Sequence, residues 1–338
     1  MEGTHPFLPY SFTLGADQVR ERILGWFARE GRSFIWRSLE RAAQRPEGEP
    51  IADPYMILVS EVMLQQTQTA RVAEKLPEFL EKFPTVQALA GASRGELIRA
   101  WQGMGYNRRA LRLQETAAAI VERHGGIFPR DPAELASLPG LGPYTASAVA
   151  CFAFGDEVAV VDVNIIRVLS RIFYKCHTPE QLMPRPTVDR LAGAVAPRGD
   201  YYRWHQALMD LGATICTARR PACDRCPVND SCLSVLPMQI ELFGAKHAAK
   251  VEPEIRGEPR RIWRGRIVEL LRREHGPMRV GEIIDHLFTP GLFDASELHD
   301  RRKLLGAVEG LLEDGLLERG GAVHEGRLEE HDLVRLPE

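Results

Sequence analysis

Apolar residues recur at helical spacing through most of the chain. In residues 17–29, Val19, Ile23, Leu24, Trp26 and Phe27 fall on one face of a helix. Short patterns of the same period predict helices near 54–66, 69–82, 86–91, 94–102, 107–123, 132–137, 143–154 and 163–173, with two more at 184–196 and 201–214. Proline, glycine or an acidic cap residue separates most of them, as in Phe128-Pro129-Arg130-Asp131-Pro132. Residues 157–163 make one short β-branched run, too little to build a sheet. The polar stretch 38–53 reads as an exposed loop, and 237–259 breaks the pattern and reads as a linker. Beyond it, helical patterns at 260–274, 280–288 and 295–314 precede two short apolar runs at 316–319 and 331–336, the layout of a winged-helix domain. The fold class expected is mainly α, with a small C-terminal α+β winged-helix-like domain.

Length and composition narrow the class. A chain of 338 residues suggests two or three domains. With 44% hydrophobic and 26% charged residues it can bury a real core, which excludes disordered and fibrous classes. The formal net charge of −3 gives no global electrostatic case for nucleic acid, so any DNA-binding face has to be a local patch. Apolar stretches such as 146–155 fall short of the roughly 20 residues a membrane span needs. The N-terminus carries no basic or apolar leader, so no signal peptide is expected and the chain is expected in the reducing cytoplasm. Six cysteines in that compartment are not read as disulfides.

Four of those cysteines follow the pattern Cys216-x6-Cys223-x2-Cys226-x5-Cys232. Structural zinc sites usually pair two short knuckles or add histidines, and here a single Cys-x2-Cys is flanked by lone cysteines. Four thiolates are what an iron–sulfur cluster takes, and zinc is the competing reading. Cys151, in an apolar helix, reads as a small core residue. The run Leu138-Pro139-Gly140-Leu141-Gly142-Pro143-Tyr144 joins two helical patterns through a Gly-x-Gly turn. Such a turn allows positive φ and offers the next helix's free amides to an anion, although for an isolated Gly-x-Gly a simple tight turn is the better reading. Asp162 precedes a helix, where it reads first as an N-cap. Glu61 has Val59, Val62 and Met63 beside it, so it borders an apolar face. A carboxyl there has a raised pKa and can be protonated near neutrality.

Residues 17–235 resemble the helix-hairpin-helix DNA glycosylase superfamily, and within it the MutY-type adenine glycosylases. The segments that carry the likeness are Phe34-Ile35-Trp36-Arg37, Ser60-Glu61-Val62-Met63-Leu64-Gln65-Gln66-Thr67, Trp101-Gln102-Gly103-Met104-Gly105-Tyr106, Leu138 to Ala146, Asp162-Val163-Asn164 with Arg167-Val168-Leu169, and Met209-Asp210-Leu211-Gly212-Ala213 running into the cysteines. The resemblance implies a [4Fe–4S] cluster on Cys216, Cys223, Cys226 and Cys232, and double-stranded DNA with a mismatched or damaged base as partner; it names no protein partner. It implies an N-terminal helix and loop (17–53) packing with the cluster module, a six-helix module with the helix-hairpin-helix (54–173) and the cluster module itself (174–236), while the residue pattern gives the linker (237–259) and the winged-helix-like domain (260–338). In a prokaryote the protein would sit with the nucleoid.

The same likeness implies residue roles. Glu61 protonates the leaving purine, Asp162 stabilises the sugar cation, Asn164 orients Asp162, and Tyr144 stands where bifunctional relatives carry a lysine. Without that amine no Schiff base forms, so the enzyme is expected to be monofunctional. Trp36 and Arg37 lie in or beside the base pocket, a core role competing for Trp36. Gln66 and Asn107 meet the bases, Gly140 and Gly142 grip a phosphate, and Arg219 and Arg220 face phosphates, with solvated surface charge as the competing reading for the two arginines. Two departures stand out. Family members usually read Gly-Tyr-Tyr where this chain has Gly105-Tyr106-Asn107, and an asparagine there resembles pyrimidine-directed branches. The family's Nudix-like C-terminal domain is replaced by the winged-helix pattern, in which Arg301, Arg302 and Lys303 could contact phosphate. The expected function is excision of adenine opposite 8-oxoguanine or guanine. A thymine or uracil mismatch glycosylase and a non-catalytic cluster-bearing DNA-binding protein are the alternatives.

Overall fold

The computed structural model describes residues 13–37, 49–235, 252–274, 276–288, 295–320 and 328–338. In chain order its helices are α1 (Thr13–Glu30), α2 (Pro54–Leu64), α3 (Thr69–Lys82), α4 (Val86–Ala90), α5 (Arg94–Ala100), α6 (Arg108–His124), α7 (Pro132–Ala136), α8 (Pro143–Phe154), α9 (Val163–Phe173), α10 (Arg185–Val195), α11 (Tyr201–Thr214), α12 (Arg260–Glu274), α13 (Val280–Leu287) and α14 (Ala295–Glu313). The strands are short: β1 (Glu254–Ile255), β2 (Glu258–Pro259), β3 (Met278–Arg279), β4 (Glu318–Gly320) and β5 (Leu333–Arg335). Two compact units emerge, residues 1–61 with 128–247 and residues 62–127 with 248–338, so the division falls inside α2.

In the first unit, α1, α9, α10 and α11 enclose one core built from Ile23, Trp26, Leu169, Leu191, Trp204 and Leu211 among others. Each large apolar side chain removed from water there contributes about 1.5–3 kcal/mol. Gly212 lets α11 approach α9 closely: a Cβ at that position would lie 2.7 Å from the Asn164 Cβ. Local signals set the helix ends. Asp131 caps α7 by accepting from Ala133 N and Glu134 N with Pro132 at the first helical position, and α8 stops at Gly155 with φ 75. The expected exposed loop at 38–53 lies outside the described residues for 38–48. At its far end Glu49, Pro50 and Asp53 are exposed, while Ile51 and Ala52 are buried and both amides donate to Ala153 O.

In the second unit, α6 lays Ala110, Leu113, Ala117 and Ile120 against α4. Thr85 caps α4, and Ser93 with Glu96 forms a capping box on α5. Residues 252–259, expected in the linker, form the β1–β2 hairpin, which turns through Arg256 and Gly257 at φ 49 and 72. Strands of two residues carry too few positions for a period of two to show. After α12 the chain runs β3, α13, α14, β4 and β5, and the sheet order is β3-β5-β4 with both pairs antiparallel. Arg301 does not present a free guanidinium on α14, since it donates to Glu330 and Asp285.

Candidate active site

Glu61 sits late in α2, a helix apolar on all sides: Ile57, Leu58 and Val59 are fully enclosed, and Glu61 itself is 5% exposed. Burial pushes its carboxyl up to about 7, with Asp162 raising it further, while a hydrogen bond from Tyr144 and the charge of Arg37 pull the other way. The Tyr144 hydroxyl donates to Glu61 Oε2 at 2.9 Å. Burial and the nearby carboxylates hold the Tyr144 phenol well above its usual range, so it remains a donor. Tyr144 is on the first turn of α8, delivered there by the hairpin. Gly140 uses its freedom, with φ 83. Gly142 does not, because its φ of −91 suits any residue; what it leaves instead is open space beside the α8 N-terminus.

Asp162 is the N-cap of α9, its Oδ1 accepting from Ile165 N at 2.7 Å. Its other oxygen accepts from Asn164 Nδ2 at 2.8 Å. Asn164 Oδ1 in turn accepts from Arg167 Nη2 at 2.8 Å, and Arg167 also donates to Gly212 O and to Cys216 O. A hydrogen-bonded chain therefore runs from the Asp162 carboxylate to the backbone of the first cysteine. Arg37 is committed inward: it donates to Asp210 Oδ1 at 2.9 Å, and Arg32 meets the same carboxylate through its side chain and its amide. Trp36 is 3% exposed and stacks on Phe34 at 4.6 Å, the packing of a core aromatic. Sequence reasoning gave Asp210 and Arg167 no role, although an aspartate inside an apolar helix already demands a buried partner. It also missed Tyr202, whose buried hydroxyl has no hydrogen-bond partner among the described residues and whose phenol burial pushes up to about 12, against the charge of Arg37.

Cys216, Cys223, Cys226 and Cys232 line one small cavity closed by Ile172, Leu211 and Ile215. Among the described residues no three Cys, His, Asp or Glu side chains converge on a point that a single metal ion would occupy. Four cysteine thiolates around one cavity are the ligand set that a [4Fe–4S] cluster takes. Arg171 reinforces the loop, donating to Thr217 O and Ala218 O and reaching Cys216 Sγ at 3.5 Å. Arg219 and Arg220 are exposed on that loop, the backbone oxygen of Arg220 accepting from Thr217.

The remaining expected residues lie in the second unit. Gln66 is exposed with φ 58 just past α2, and Asn107 begins α6 without capping it through its side chain. Between them works Arg109, which sequence reasoning passed over. Its guanidinium donates to Val62 O, Met63 O, Gln65 O, Met104 O and Gly105 O and to Thr67 Oγ1. Burial lowers it to about 10. These bonds hold both the Gln65-Gln66 turn and the glycine loop before α6. An open cleft of about 1120 Å³ borders the same loops, with Tyr106, Arg112, Arg261, Arg266 and Arg273 in its wall.

The profile of HhH-GPD superfamily base excision DNA repair proteins matches residues 59–185, and that of the iron–sulfur binding domain of endonuclease III matches 216–232. A protein of Mycobacterium tuberculosis named adenine DNA glycosylase is 37% identical over 323 residues, covering 92% of this chain and 94% of that one. The human adenine DNA glycosylase is 38% identical over 239 residues, 70% of this chain and 43% of its own. A thermostable thymine-DNA glycosylase of known structure superposes with a TM-score of 0.58 at 29% identity, over 66% of this chain and 98% of its own. The chain belongs to the adenine DNA glycosylase family, and its cofactor is a [4Fe–4S] cluster. Among the described residues no helix is long and apolar enough to cross a membrane.

Proposed function

We propose that this adenine-specific DNA N-glycosylase excises adenine from mispairs with 8-oxoguanine or guanine, with Glu61 as the acid and Asp162 as the anion. The observation that carries the reading is the burial of Glu61 beside Tyr144: burial holds the carboxyl protonated close to neutral pH, and the Tyr144 hydroxyl donates to it. Flipping the base out of the duplex costs a few kcal/mol, less for a mispair. Glu61 then protonates the purine, the C1′–N bond breaks with its electron pair leaving on adenine, and cationic character develops on the sugar. Asp162, held by Ile165 N and Asn164 and seated at the positive end of α9, offers its negative charge to that cation. Water adds at C1′, and its proton returns to Glu61. Tyr144 occupies the place of an amine nucleophile and offers none, so the product is an intact abasic strand; a nick before any base or amine treatment would contradict this.

Cys216, Cys223, Cys226 and Cys232 are the cluster ligands in this reading, supported by the cavity they share. The bound cluster supplies cross-links for the loop that offers Arg219 and Arg220 to phosphate. Gly140, Gly142 and the open α8 N-terminus also take a phosphate, Trp36 and Arg37 lie beside the base pocket, and Gln66 and Asn107 belong to the DNA-facing loops. The functional modules follow the bounds 17–53, 54–173, 174–236, 237–259 and 260–338, the last a winged-helix-type module, as the order helix, strand, two helices and hairpin supports. Such an enzyme works in the cytoplasm with the nucleoid. Single-turnover excision by one preparation on A:8-oxoguanine, A:G, T:G and U:G duplexes tests the reading. Adenine released from the first two supports it, and thymine or uracil released with adenine untouched overturns it.

A further inference from the structure

The loop 103–106 is unusual in its backbone. Gly103 and Gly105 have φ of 80 and 66, and Tyr106, which is not a glycine, has φ 46 and is 52% exposed. A non-glycine side chain held in that region is strained and persists only when its surroundings enforce it. From inside, Trp101 Nε1 donates to Gly105 O at 3.1 Å and Arg109 takes the carbonyls of Met104 and Gly105. The other restraint comes from far along the chain, from a single turn of α12. Glu269 Oε1 accepts from Gln102 Nε2 at 2.7 Å at the start of the loop. Arg272 donates to Asn107 Oδ1 at 3.1 Å at its end, and twice to Ile98 O at 2.8 and 3.1 Å. Glu269 and Arg272 pair with each other at 3.2 Å, and Arg272 is 9% exposed.

We propose that Arg272, with Glu269, is a positioning residue that clamps both ends of the 103–106 loop and so fixes Tyr106 for reading the base opposite the excised adenine. The proposal rests on the excision reading above. It gives the C-terminal segment a part in substrate recognition by holding a loop. It also gives Asn107 a different task from a base contact. The short side chain supplies the oxygen that a buried guanidinium needs, which accounts for its presence where relatives carry a second tyrosine.

The test uses full-length, cluster-loaded protein and adenine opposite three partners: 8-oxoguanine, guanine and an abasic site, where there is no base to read. Arg272→Met and Asn107→Ala remove the bond, whereas Asn107→Asp keeps an acceptor for Arg272. Loss of a buried charge-assisted bond should lower the excision-rate ratio of 8-oxoguanine over abasic by about tenfold in the first two variants, and Asn107→Asp should retain the ratio. Should Arg272→Met fail to fold, the two Asn107 variants decide alone. Unchanged ratios, a parallel fall against all three partners, or an Asn107→Asp that behaves like Asn107→Ala would overturn the clamp. Wild-type protein that excises no adenine would overturn the excision reading itself and this proposal with it, a failure visible before any variant is assayed.

Discussion

Replacing Glu61 with glutamine separates what this residue does for catalysis from what it does to stability. The unfolded chain releases the Glu61 proton near 4.5 and the folded one near 7. Folding therefore takes up a proton between those values, and the folded state is progressively penalised as pH rises through the window. A difference of that size, at 1.36 kcal/mol per pH unit, amounts to about 3 kcal/mol once pH exceeds 7, and to nothing below 4. Glutamine keeps the shape and an oxygen for the Tyr144 hydroxyl but has no charge to bury. Glu61→Gln should abolish adenine excision while stabilising the protein at pH 8 by up to about 3 kcal/mol, with the gain fading toward pH 5. Denaturant melts of both proteins at pH 5, 6, 7 and 8, read as differences at each pH, measure it. The wild-type single-turnover rate should fall above pH 7 as the acid is lost. Equal stabilities at pH 5 and 8, together with a rate that holds flat to pH 9, would refute a buried acid at this position.

Asp162→Asn keeps the cap on α9 but removes the negative charge that the proposed mechanism sets against the sugar cation, so excision should drop roughly a thousandfold or more with duplex binding intact; kinetics beside a binding isotherm would show it. Asp210→Ala strands the Arg37 and Arg32 guanidinium groups around a carboxylate site with no exposure, and should cost about 3–5 kcal/mol in denaturant unfolding; a loss below 1 kcal/mol would mean water replaces the pair. Gly212→Ala places a Cβ 2.7 Å from the Asn164 Cβ, which must push α9 from α11 and disturb the Asn164–Asp162 bond, so excision and stability should fall together.

The sequence alone determined the helices, because each is written locally. Asp131-Pro132 opens α7, Gly155 closes α8, and the apolar spacing of residues 163–173 recurs as the buried face of α9. It also determined the chemistry on offer, since a carboxyl amid valines and four spaced cysteines are visible in a string of letters. Tertiary structure alone decided the partners. Nothing near Asp210 announces Arg32 and Arg37, 178 and 173 positions away, and nothing near Asn107 announces Arg272, 165 away. Periodicity reports which face of an element is buried, whereas a buried charge is neutralised by whichever distant group the packing brings within 3 Å. That choice belongs to the assembled core, where leaving such a group unpaired costs more than any local preference can return.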